Sequence, residues 1–356
     1  MPFNNKKKHV FMAAIALFGI SAHAVAEGTI VDLAFATPPD SGSDTARTLQ
    51  SIVRVRDISE AYATGGLYLI THVGAREELF RKENQAMIDN PLFNQTWRFC
   101  SVFSIRPDSA VIVGRNWDNQ NAGSIIISLY RPPDGYSSIS FSRAIDLGFP
   151  CNVRLDEIAG SPFGEKLLLA PFYAMDGVNE HGLTVAVAGV RQTTHSHGSE
   201  AQPVYVTLLI RRILDHARNI EEAMSIAEKH VPFDLDRYSL NGHYLVADSW
   251  GRSVILEYEH DQWRMITSTA PWQVLTTKSV YNVPDMDLRA ACWRYRSISE
   301  TLERSGGDVD WNAGMHILQD VTQNGTTWSV IYAPTTEDIY FAVYQDWETI
   351  YHIETP

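Results

Sequence analysis

Hydrophobic and polar positions change their period along this chain, and the changes divide it. A basic "NKKKH" leads into the apolar run "VFMAAIALFGIS" and the small-residue "AHAVA". That order predicts a secretory signal over residues 1–26, cleaved after Ala26, in a protein that is exported to the periplasm or secreted. The apolar run holds about a dozen residues, short of the roughly 20 that cross a bilayer, and no later segment predicts a membrane span. From Thr45 to about Gln95 the pattern reads as mostly helical. "DTARTLQSIVRVRDISEAYATGG" brings Leu49, Ile52, Val53 and Ile58 to near-helical spacing, and "AREELFRKENQAMIDNP" is helix-forming up to Asn90–Pro91.

After Cys100 the period drops to two. "CSVFSI", "AVIVGRNW", "GSIIISLYR" and "YSSISFS" are short β-branched and aromatic runs separated by turns, and "DGVNEHGLTVAVAGV" continues them. Helical spacing returns in "PVYVTLLIRRILDHARNIEEAMSIAEKH", with Asn219 three residues before Glu222 as a capping-box-like restart. "HYLVADSWGRSVILEYE" reads as a hairpin and "LRAACWRYRSISETLERSGG" as a helix closed by a glycine pair; alternating strands end the chain. Helices, meanders, a helical block, a hairpin, a helix and more strands predict an α+β protein with antiparallel sheets under helices.

Charge narrows the partners. The formal net charge is -13 and becomes -16 once Lys6, Lys7 and Lys8 leave with the signal. Such a surface lacks the clustered Lys and Arg that nucleic acid or an anionic membrane requires, so neither is predicted as a partner. The three cysteines, Cys100, Cys151 and Cys292, cannot all pair within one molecule. An unpaired thiol in an oxidising compartment needs a reason, and catalysis supplies one. Other chemistry is thin. "HSHG" (His195, His197) reads as a polar loop rather than a metal set, and neither a G-x-S-x-G elbow nor a glycine-rich phosphate loop occurs.

Cys100 has two readings. It is a small buried hydrophobe at the head of a strand, or the chain is cut before it and it becomes an amino terminus. In the second case its own α-amine, which titrates near 7.7–8 in ordinary peptides, serves as base for its thiol. Arg115 and Asp118 of "VGRNWDN" then tune thiol and amine from the next strand. A surface Arg–Asp pair beside a core cysteine would give the same sequence.

From Cys100 onward the chain resembles the linear amide C–N hydrolases of the N-terminal-nucleophile (Ntn) superfamily. That group takes in choloylglycine hydrolases, penicillin V acylases, isopenicillin N acyltransferase and acid ceramidase-like enzymes. The resemblance is carried, in order, by "CSVFSI", "VGRNWD", "MDGVNEHGLTVAVAG", "HYLVADSWGRSVILEY", "ACWRYR" and "TTWSVIY". It implies a four-layer αββα sandwich, autocleavage of the Phe99–Cys100 bond, and hydrolysis of linear amides without a cofactor, with acyl transfer to an amine as an extension. It implies Cys100 as nucleophile, Arg115 and Asp118 beside it, Arg294 as a second arginine, and Asn179 as a residue lining or bracing the site. Relatives commonly place an oxyanion-holding asparagine where this chain has Thr277; Thr277, Asn282 or backbone amides remain open for that role, with Asn282 preferred.

The domain reading is signal peptide 1–26, a helical pro-segment or retained small subunit 27–99, and a catalytic domain 100–356. Expected partners are a small N-acyl amide and the two cleaved pieces themselves; a homo-oligomer is left open. The competing function is a secreted binding protein that keeps this fold without its chemistry. An ordinary thiol hydrolase using a distant histidine such as His243 is a second rival.

Overall fold

The computed structural model describes residues 21–25, 28–60, 63–74, 77–89, 100–106, 111–119, 123–190, 202–232 and 241–355. Most of the expected signal, Phe99 of the expected cleavage site, and His195 and His197 lie outside these residues.

Two large sheets carry the molecule. The first runs, in spatial order, β1 (Ser21–Val25), β2 (Gly28–Asp32), β19 (Thr349–Glu354), β18 (Asp338–Val343), β17 (Thr326–Ala333), β6 (Ile112–Asp118), β5 (Ser101–Ile105) and β16 (Trp272–Leu275). The second runs β15 (Gln262–Ile266), β14 (Ser253–Glu259), β13 (Asn241–Ala247), β10 (Thr184–Val190), β9 (Asp176–Asn179), β8 (Ser138–Arg143), β7 (Ile125–Arg131), β4 (Ala63–Val73) and β3 (Val53–Glu60). A small parallel pair, β11 (Gln202–Val204) and β12 (His230–Pro232), stands apart. Pairing within the large sheets is antiparallel except for β2 with β19 and β4 with β7.

Helices cover both outer faces. Helix α7 (Trp293–Ser305) lies on β5 and β16, preceded by α6 (Asp285–Ala291), and α8 (Trp311–Asp320) lies on β6 and β17. On the second sheet, α4 (Val206–His216) covers β9 and β10, and α5 (Ile220–Ala227) packs toward β13, β14 and β15. Among the described residues the remaining helices are α1 (Asp44–Gln50), α2 (Glu77–Asp89) and α3 (Leu155–Ile158), with 3-10 turns at Ala144–Leu147 and Gly164–Tyr173. The architecture is the expected α+β, four-layer αββα sandwich. Between the sheets Trp117 stacks on Trp328 at 5.5 Å, and Phe141 of the second sheet meets Trp328 at 6.0 Å. Both faces of the central strands are covered, so β6, β10 and β17 are buried along their whole length.

Most of the elements expected after Cys100 are present, including the hairpin of β13 and β14 and the Asn219 cap, whose side chain accepts from the Glu222 amide at 2.9 Å. Two expectations need correction. Among the described residues of 45–95, which leave out 90–95, the helical reading holds only at α1 and α2. Between them the apolar Val53 and Val55 alternate with Arg54 and Arg56, a period of two that proves to be the dominant signal, and β3 and β4 form instead. Pairing with β7 then places Leu67, Tyr68, Leu69 and Ile70 in the core at 0–1% exposure. The single helix expected near Leu288–Gly307 is also two helices, because Cys292 leaves the helical region at φ -143°, ψ 111° and caps α7.

Candidate active site

The site grows from one strand pair. Register sets Val102 opposite Arg115 and Ser101 opposite Asn116, so the head of β5 and the end of β6 lie side by side. Cys100, just before β5, is completely buried. Arg115 is equally buried and reaches across the gap between the sheets. Its Nη2 stands 3.8 Å from the Cys100 sulfur and donates to the Val187 carbonyl at 2.9 Å. Its Nη1 donates to the Met175 carbonyl at 3.0 Å and to the Asp176 carboxylate. The Trp117 ring lies 4.7 Å from the guanidinium carbon. A cation held by two carbonyls, a carboxylate and an aromatic face has one orientation, and that orientation points at the thiol.

Asp176 is the residue that sequence reasoning missed. Besides Arg115 it accepts from Trp328 Nε1 at 3.1 Å and from the Tyr332 hydroxyl. Burial pushes its carboxyl up, and Arg115 with the two ring donors opposes the push. The available signal was the alternation in "TTWSVIY", which puts the polar tips of Trp328 and Tyr332 on one face of β17.

Asp118 closes β6, and its backbone amide helps to draw the Cys100 thiol down. Oδ1 accepts from the Thr326 hydroxyl at 2.5 Å. Among the described residues Oδ2 is buried without a hydrogen-bond donor, and it lies 3.6 Å from Arg294 Nη1. Burial raises the Asp118 carboxyl to about 7, against the pull of Thr326, Arg294 and Arg115. The same Arg294 Nη1 donates to the Cys100 carbonyl at 2.6 Å and to Ser101 Oγ at 2.7 Å, delivered by the first turn of α7. Burial also raises the Cys100 thiol; Arg115 draws it down and Asp118 adds to the rise.

The structure therefore gathers Cys100, Arg115, Asp118 and Arg294. Thr277 is half-buried two residues beyond Leu275, which ends β16 paired with Val102, itself two residues after Cys100. Asn179 lies elsewhere: its side chain donates to the Leu214 and Ala217 carbonyls of the α4 end and accepts from the His181 and Leu183 amides. Asn282 occupies an exposed turn at φ 56°. Among the described residues no contact joins either asparagine to the cluster. His243 is engaged away from the thiol, with Nδ1 2.7 Å from Glu257 and Nε2 2.6 Å from the Thr276 carbonyl. Among the described residues no three His, Cys, Asp or Glu side chains converge as a metal site.

Comparison with known proteins adds a partial family match and a fold. Residues 169–303 match the family model of the acyl-coenzyme A:6-aminopenicillanic acid acyl-transferase. No curated protein matches the chain. Among solved structures, the conjugated bile acid hydrolase from Clostridium perfringens superposes with a TM-score of 0.50 at 14% identity, covering 72% of this chain and 92% of that one. Penicillin V acylase from Agrobacterium tumefaciens gives 0.48 at 14% identity, covering 72% and 86%. The Caenorhabditis elegans ortholog of N-acylethanolamine-hydrolyzing acid amidase gives 0.45 at 13%, covering 66% and 93%. With its two-sheet sandwich, the chain is a protein of the Ntn-hydrolase fold, and over residues 169–303 it matches the acyl-transferase family.

Proposed function

We propose that the protein is an exported, autoprocessing amidase that cleaves linear C–N bonds of N-acyl compounds with Cys100 as an N-terminal nucleophile. One observation carries this reading. Among the described residues Asp118 Oδ2 is a buried acceptor without a donor, set beside a cysteine whose sulfur faces a fixed arginine. Buried carboxylate oxygens are rarely left unsatisfied. An α-ammonium freed at Cys100 supplies the missing donor.

Processing and turnover then share one geometry. The Cys100 thiol adds to the Phe99 carbonyl, the C–N bond to Cys100 breaks, and water cleaves the resulting thioester, leaving a free amine on Cys100. In turnover the amine takes the thiol proton, and the sulfur adds to the substrate carbonyl. The amine then passes that proton to the leaving nitrogen, and water, or an acceptor amine, releases the acyl group from sulfur. Arg115 stabilises negative charge at the sulfur, and Asp118 orients the amine. The segment before Cys100 is retained as a small subunit.

The test is intact mass and amide hydrolysis on purified protein. The expected result is a large fragment beginning at Cys100, activity on N-acyl amides, and an uncut, inactive Cys100→Ala variant. One unbroken, inactive chain from Glu27 overturns the proposal in favour of a binding protein. Activity in an uncut chain favours an ordinary thiol hydrolase.

A further inference from the structure

The mechanism leaves His243 and Glu257 unused, although both are fully buried. Charges removed from water are costly unless paired and hydrogen-bonded throughout, so what they hold is informative. Both hold one segment, the loop that follows β16. His243 Nε2 meets the Thr276 carbonyl at 2.6 Å, and Nδ1 meets Glu257 Oε1 at 2.7 Å. Glu257 accepts from the Ser279 hydroxyl at 3.0 Å, from the Tyr281 amide at 2.8 Å, and from the Val280 amide at 3.1 and 3.2 Å. A carbonyl only accepts, so Nε2 of His243 carries a proton, and a second proton lies between Nδ1 and Glu257 Oε1. Burial pushes the Glu257 carboxyl up, and His243 with the Tyr281 and Val280 amides outweighs that, leaving it below its usual range.

The clamp grips the loop at both ends and leaves its middle free. Thr276 is held on one side and Ser279 to Tyr281 on the other, while among the described residues no hydrogen bond engages Thr277 or Lys278. The last pair of β16, Leu275 with Val102, stands two residues from Thr277 on one strand and two residues from Cys100 on the other. An oxyanion site needs donors held in place before the reaction begins, and here the side chain at 277 is a threonine on a tightly fixed loop.

The geometry points to His243 and Glu257 as positioning residues that fix the Thr277–Lys278 segment beside the Cys100 thiol for oxyanion stabilisation. This rests on the amidase reading above. Neither residue touches the reacting atoms; they act through the loop.

The experiment uses full-length, processed protein carrying His243→Leu and Glu257→Met together, since apolar replacement of a whole buried pair commonly preserves stability. Turnover per processed molecule on an N-acyl amide is read beside hydrogen exchange of peptides covering residues 276–282. The expected result is a loss of about 10²-fold in kcat with KM within about threefold, and faster exchange confined to that loop. A folded double variant with wild-type kcat, or with unchanged loop exchange, overturns the assignment. Glu257→Gln, which keeps the shape and loses one acceptor, is the second variant should the first not fold. It is expected to lower kcat about tenfold, and wild-type kcat in it overturns the assignment equally. Wild-type protein without Cys100-dependent hydrolysis removes the amidase reading, and loop exchange alone then decides the clamp.

Discussion

At the scale of single residues, Asp118 ties the chemistry to a stability measurement. Its carboxyl is raised to about 7 in the folded, uncut chain, against an ordinary value near 3.9. The folded value is the higher one. The contribution of this group to stability is therefore complete below about pH 4 and is lost as pH rises through 7. Asp118→Asn, placed in an uncut Cys100→Ala background, mimics the protonated form at every pH. It is expected to match its parent at pH 4 and to be more stable by up to about 4 kcal/mol at pH 7, read by chemical denaturation at both. Equal stability at both values would show that the burial of Asp118 costs nothing. A second expectation concerns Asp176. Asp176→Asn leaves the Arg115 charge buried without its carboxylate, and about 3–5 kcal/mol of stability is expected to go with it, along with activity. Cys100, Arg115, Asp118 and Arg294 were legible because they stand in quotable motifs at a strand's head, a strand's end and a helix start. Asp176 was not, because its partner lies 61 residues away in sequence and "DG" reads locally as a turn.

Elements show a different limit of legibility. The runs after Cys100 alternate cleanly and formed as strands, whereas the segment before it offers Leu49, Ile52, Val53 and Ile58 to two periods at once. Tertiary pairing decides between them. β4 gains a parallel partner in β7, and β2 gains one in β19, so each large sheet takes strands from the segment before Cys100. The consequence bears on its fate after cleavage. Leu67, Leu69 and Ile70 are buried at 0–1% exposure, and burial of each such side chain is worth about 1.5–3 kcal/mol. The segment is therefore expected to stay in place once the Phe99–Cys100 bond is cut. Size exclusion of processed protein under native conditions should keep both pieces in one peak and separate them only in denaturant. Leu69→Asp, which puts a charge between the two sheets on the face that Ile127 and Phe141 share, should release the small piece or prevent folding. A large fragment that elutes alone and remains active would refute the retained-subunit reading.

For the molecule as a whole, the sandwich is expected to unfold as one unit even when it consists of two chains. The pieces share both sheets, and polar ties run between them at several places. Arg56 donates to Asp346 at 2.6 Å, Arg154 meets Asp57 at 3.1 Å, and His352 bridges Asp32 and Asp338 at 2.9 and 2.7 Å. Cutting the backbone leaves these contacts and changes the unfolded state: one unfolded chain becomes two that must meet again. Folding then includes an association step, so stability depends on protein concentration by mass action, about 1.4 kcal/mol for each tenfold change. At the unfolding entropy typical of a chain this long, that is about 2 °C in Tm per tenfold. Processed protein should show this rise, and the uncut Cys100→Ala variant should show none. A concentration-independent Tm in fully processed protein would mean that the small piece has already left, and that the large fragment holds β5, β6 and Arg115 in place without β2 and β4.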